Sequence, residues 1–166
     1  MNEELQIKRD RMRFVKNTLC ANLAILAIVF DVLYFINIYE ADVTHTVGSF
    51  YYQYRIGVSI IYNILFLLAA FLSSEGIKNY KREYAIALIV LGVLQLLRIF
   101  WLPAQAAAAE VTVGGVTTKV MDAAQHVRVI FYLAASGACC LVSGVIGIQR
   151  CRTLAEHIAS LEAKKG

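Results

Sequence analysis

Four long apolar stretches constrain this chain more than any other feature: Thr18–Ile38, Ile56–Ser74, Tyr84–Leu102 and Val129–Ile148. Each is near the roughly 20 residues that a helix rising about 1.5 Å per residue needs to cross a hydrocarbon layer. An unpaired backbone amide in lipid is costly, so a spanning segment has to satisfy its own hydrogen bonds, and helices follow. Only 17% of the residues are charged, against about 25% in an ordinary soluble domain. The expected fold is therefore all-α: a polytopic integral membrane protein, a bundle of four transmembrane helices with both termini cytoplasmic. Its organisation reads as an interfacial N-terminal helix over 1–17, a transmembrane domain over 18–148 and a cytoplasmic amphipathic tail over 149–166.

The placement of the 16 Lys and Arg residues sets the orientation. Five precede the first stretch (Lys8, Arg9, Arg11, Arg13, Lys16), three lie in the second connection (Lys78, Lys81, Arg82) and four in the tail (Arg150, Arg152, Lys164, Lys165). The first connection holds only Arg55 and the third only Lys119 and Arg128, while Arg98 lies inside the third stretch. By the positive-inside rule the richer side faces the cytoplasm. These cations flank apolar stretches and form no basic face interleaved with aromatics. They imply anionic lipid headgroups as partners, and no nucleic acid. The long first apolar run, with no small-residue cleavage site after it, reads as an uncleaved insertion signal. The outer connections carry no N-x-S/T sequon, and a bacterial cytoplasmic membrane is the expected location.

On this map Cys20 and Cys151 lie near the cytoplasmic face and Cys139 and Cys140 inside the fourth stretch, so none is in an exported connection and no exported disulfide framework is expected. The aromatic run Phe50, Tyr51, Tyr52 and Tyr54 reads as an anchor at the outer interface. Pro103 marks the exit of the third stretch. Beyond it, two β-prone runs around Gly114-Gly115 predict a small outer β-hairpin in the third connection.

Polar residues inside apolar stretches are expensive and informative. Asp31 lies 13 residues past Thr18, and Arg98 lies 14 past Tyr84. Both helices run outward on this map, so the two side chains reach nearly the same depth. An interhelical ion pair between Asp31 and Arg98 is expected, with Gln95 one turn from Arg98. Asn22 and Asn63 read as further intramembrane polar candidates, able to hydrogen-bond between helices. The charges can fix helix register, face a water-filled cavity and a solute, or reach a partner subunit. A buried ion pair is often no better for stability than apolar packing, which argues against a purely structural reason for keeping one.

The fourth stretch carries small residues at four-residue spacing in two rows: Ser136, Cys140 and Gly144, and Ala135, Cys139, Ser143 and Gly147. Such rows let helix backbones approach closely, which in lipid is a main source of association. They predict contact through the fourth helix, within the bundle or with a protein partner or second copy.

No phosphate loop, metalloprotease helix, nucleophile triad or dinucleotide fingerprint is present. His45, His126 and His157 have no companion ligands in sequence, and neither metal nor cofactor is expected. The expected function is that of a small non-catalytic membrane protein, an accessory or interaction subunit of a larger complex such as a transporter. The alternative is a homo-oligomeric small transporter or channel with a polar site at Asp31 and Arg98.

Overall fold

Helix dominates the chain, and each long helix is built on a seven-residue rhythm. The computed structural model describes residues 2–43, 50–108, 110–113, 116–119 and 121–163. In order, the elements are α1 (Asn2–Arg11), α2 (Thr18–Val43), α3 (Phe50–Lys78), α4 (Arg82–Arg98), α5 (Leu102–Ala108), β1 (Glu110–Val113), β2 (Val116–Lys119) and α6 (Ala123–Glu162). On α2 the inward stripe is Cys20, Ala24, Ala27, Asp31, Tyr34 and Ile38, all buried. Alternating steps of four and three residues keep one face of a helix on its neighbours and suit nearly aligned packing. The same steps recur on α4 in Ala85, Leu88, Gly92, Gln95 and Arg98.

Around the bundle, α2 packs on α3 and α6, and α4 packs on the same two helices. The exterior is strongly apolar. Ile61, Ile64, Leu65 and Leu68 of α3 are exposed, as are Val90, Val93, Leu94 and Leu97 of α4. The inward stripes mix small and polar residues with larger apolar ones such as Ile38, Leu88 and Leu133. Water would penalise so large an apolar exterior, whereas lipid solvates it. Among the described residues, three helices are long and apolar enough to cross a membrane: Thr18–Ile38 within α2, Gly57–Lys78 within α3, and α6.

This corrects the expected count of four transmembrane helices. The third apolar stretch does not form one helix through Leu102. α4 ends at Arg98 after 17 residues, about 26 Å at about 1.5 Å per residue and short of the roughly 30 Å hydrocarbon core. Residues 99–101 turn, exposing Phe100 and Trp101, before α5 begins at Leu102. Pro103 is the cause. It has no N–H to offer the Ile99 carbonyl, and its ring would clash with that carbonyl in a continuous helix. In the first turn of α5 the missing N–H costs nothing. α4 is therefore a shorter fourth helix packed among three longer ones.

β1 and β2 pair antiparallel, with Val113 opposite Val116 and Glu110 opposite Lys119. The expected tight turn at Gly114-Gly115 lies outside the described residues, as do His45 and the side chains of Phe50, Tyr51, Tyr52 and Tyr54. α6 starts at Ala123, whose N–H is capped by the Asp122 side chain, and runs for 40 residues. It passes the expected boundary at 148/149 without a break, so the tail continues the fourth stretch. At that end the Asn17 N–H donates to the Lys78 carbonyl at 3.0 Å, and Arg150 Nη1 donates to Asn17 Oδ1 at 2.7 Å. His157 Nε2 lies 3.4 Å from Asp10 Oδ1, tying α1 to α6. Both ends of the described chain thus meet at one end of the bundle.

Candidate functional site

Four helices converge on one buried polar cluster. Asp31 comes from α2, Ser59 and Asn63 from α3, Gln95 and Arg98 from α4, and Ser136 from α6. Each sits on the inward stripe of its helix, which is why residues far apart in sequence meet. Gln95 and Ser136 are 0% exposed, Asp31 1%, Asn63 4% and Arg98 8%.

Arg98 Nη1 lies 3.5 Å from Asp31 Oδ1, but each charge has a closer partner. Arg98 Nη1 donates to Asn63 Oδ1 at 2.6 Å, and Nη2 donates to Ser59 Oγ at 3.1 Å. Gln95 Nε2 donates to Asp31 Oδ1 at 2.7 Å and lies 3.5 Å from Ser136 Oγ. Ser136 Oγ in turn donates to the Ala27 carbonyl at 2.9 Å. The guanidinium is clasped between two rings, its carbon 4.6 Å from the Tyr34 centroid and 4.5 Å from that of Tyr62. Cation–π attraction of this kind is strongest away from water. The ion pair is one edge of a shared network.

The structure brings Asp31, Arg98, Gln95 and Asn63 together. Asn22 is exposed on α2, off the inward stripe and away from the cluster. Sequence reasoning missed Tyr34, Ser59 and Tyr62. The signal was available in spacing: Tyr34 follows Asp31 by three, and Ser59 precedes Asn63 by four, so each shares a face with a residue already singled out.

The small-residue rows of α6 point into this chain's own bundle. Ser136, Cys140, Ser143, Gly144 and Gly147 are buried, while Ala135 and Cys139 are half-buried. Ser143 Oγ donates to the Cys20 carbonyl at 2.7 Å, bonding α6 to α2. On the α4 side, a Cβ added at Gly144 would stand 2.7 Å from the Ala85 carbonyl oxygen. A Cβ at Gly92 would stand 2.9 Å from the Gly137 carbonyl oxygen. The two backbones touch there, seven residues along each helix from the Ala85–Gly144 contact. Most of these row residues are therefore in contact within the bundle.

Several polar atoms of the cluster keep hydrogen-bonding capacity to spare. Asp31 Oδ2, Gln95 Oε1, Asn63 Nδ2 and the Tyr62 hydroxyl are buried without a hydrogen-bond partner. Two acceptors, an amide donor and a hydroxyl together suit an internal water. Among the described residues, no group of three His, Cys, Asp or Glu could hold a metal ion. Chemically the site can hold a charge pair in place. No family model, curated protein or solved structure matches the chain.

Proposed function

We propose that this chain is a small non-catalytic membrane protein that serves as an interaction subunit of a larger membrane assembly. One observation carries the reading: the costly intramembrane charges are held in one polar network within the chain. Asp31 and Arg98 are closed inside the bundle, Asp31 bonded to Gln95 of α4, and Arg98 bonded to Asn63 and Ser59 of α3 and stacked on Tyr34 and Tyr62. Such a cluster locks the register of four helices and leaves a rigid body with an apolar exterior. A rigid apolar body is what a larger membrane protein can pack against. The basic residues of α1, the 78–82 turn and the end of α6 gather at one end of this body. By the positive-inside rule that end faces the cytoplasm, and a bacterial cytoplasmic membrane fits the sequence.

Purification in mild detergent tests the reading. A fixed stoichiometric ratio with one larger membrane protein is expected. A lone symmetric oligomer overturns it and favours the second reading, a small transporter or channel. The unpartnered atoms at Asp31, Gln95, Asn63 and Tyr62 speak for that second reading, because a hydrated route would satisfy them.

A further inference from the structure

At the end of the bundle where α1 meets α6 there is a groove of about 690 Å3 whose lining has one sign of charge. Lys8, Arg9, Arg11, Lys16 and Arg150 line it, and no acidic side chain does. Lys8, Arg9, Arg11 and Lys16 take part in no ion pair among the described residues. Arg13, on the same segment, does pair, with Asp10 at 3.3 Å. The groove is therefore a place where cations have been gathered and left without counter-charge, which costs self-repulsion unless an anion supplies it.

The walls are held in place. His157 and Asp10 tie α1 to α6. The Tyr80 hydroxyl donates to the Val15 carbonyl at 3.2 Å, fixing the chain between α1 and α2. Apolar side chains share the lining. Leu5, Val15 and Leu19 are 49%, 54% and 45% exposed, and Leu19 belongs to the first turn of α2, where the first apolar span begins. Cations and exposed aliphatics side by side, at the level where a span leaves the hydrocarbon, match a molecule that is phosphate at one end and hydrocarbon at the other.

We infer that this groove is a binding site for an anionic phospholipid, its phosphate held by Lys8, Arg9, Arg11, Lys16 and Arg150 and its acyl chains lying on Leu5, Val15 and Leu19. The inference rests on the chain lying in a membrane, not on its having a protein partner. A soluble phosphate has the same charged end but nothing for the aliphatic residues to cover.

Native mass spectrometry of the full chain in mild detergent reads the occupancy directly. The chain is incubated with phosphatidylglycerol, with phosphatidylcholine, or with phosphatidylglycerol plus millimolar inorganic phosphate. The variants K8Q/R9Q and R13Q/R152Q remove the same number of charges, inside and outside the groove respectively. Phosphatidylglycerol is expected to be retained, phosphatidylcholine not, and inorganic phosphate not to displace the lipid. K8Q/R9Q is expected to lower retention by about tenfold or more, from about 1 kcal/mol per cation near a lipid surface, and R13Q/R152Q by less than about twofold. Equal loss in both variants overturns the site in favour of a diffuse surface potential. Equal retention of phosphatidylcholine, or displacement by inorganic phosphate, also overturns it. Should K8Q/R9Q fail to fold, the two lipids and the phosphate competition on the unmodified chain decide alone.

Discussion

Arginine does opposite work in two regions of this molecule. Arg98, deep in the bundle, is bonded to Asn63 and Ser59, near Asp31 and clasped by two tyrosines. Arg9 and Arg11, at the basic end, line an open groove with Lys8 and Lys16, and no ion pair among the described residues neutralises any of them. Burial makes the difference. A charge removed from water must find partners within the chain or it will not stay folded there. A charge left at an interface can wait for a partner from outside. The first arrangement fixes a shape, and the second leaves a surface open to association.

The sharpest way to break this contrast is to treat Arg98 as if it were a surface cation. Arg98→Ala leaves the Asp31 carboxylate buried without its positive neighbour and should destabilise the bundle by about 3–5 kcal/mol. Thermal unfolding in detergent, followed by circular dichroism, would show it as a large drop in midpoint. A drop no larger than that of a surface arginine would erase the distinction. Next comes the packing that brings the helices close enough to share the cluster. Gly144→Leu forces a side chain against the Ala85 carbonyl oxygen and the Ile89 side chain, at a cost of about 1–3 kcal/mol by the same assay.

The tyrosine clasp sharpens the contrast further. Tyr62→Leu removes one ring face from the guanidinium and should cost about 1 kcal/mol. Tyr62→Phe keeps the ring and removes only a hydroxyl that has no hydrogen-bond partner, so unfolding should barely change. A clear loss with Phe would mean that a water or solute uses the hydroxyl, which favours the transport reading. The smallest effect belongs to the exposed pairs. Arg13→Gln and Arg152→Gln break ion pairs whose side chains are exposed. Each should leave the midpoint nearly unchanged, because such pairs contribute little.

How much of this could be read without coordinates depends on which physical quantity each residue reports. Depth was legible, because a helix converts residue count into distance: counting from the span starts puts Asp31 and Arg98 level. Facing was harder. Asn22 and Asp31 are both polar residues in one apolar run, but only Asp31 falls on the stripe of Cys20, Ala24, Ala27 and Tyr34. The end of α4 was misplaced because Ile99, Phe100, Trp101 and Leu102 are as apolar as the helix before them. Hydropathy does not register a proline whose effect falls on the carbonyl four residues earlier. The small-residue rows of α6 announced close contact correctly, but spacing alone cannot say which helix fills the space. Ala85, the small residue on α4 that meets Gly144 and Gly147, is the signal that would have pointed to α4. The groove at the basic end was invisible because it depends on how α1 folds back toward α6, a matter of the Asp10–His157 contact.

The central claim is that Asp31 and Arg98 are kept for each other inside a shared network. A double-mutant cycle with Asp31→Leu and Arg98→Met, read as unfolding midpoints in detergent, tests it most directly. Each single change should strand the remaining charge and destabilise the bundle strongly. The double change removes both charges and should recover a substantial part of that loss. Losses that simply add would show that the two residues act independently, and the account of a shared lock would fail.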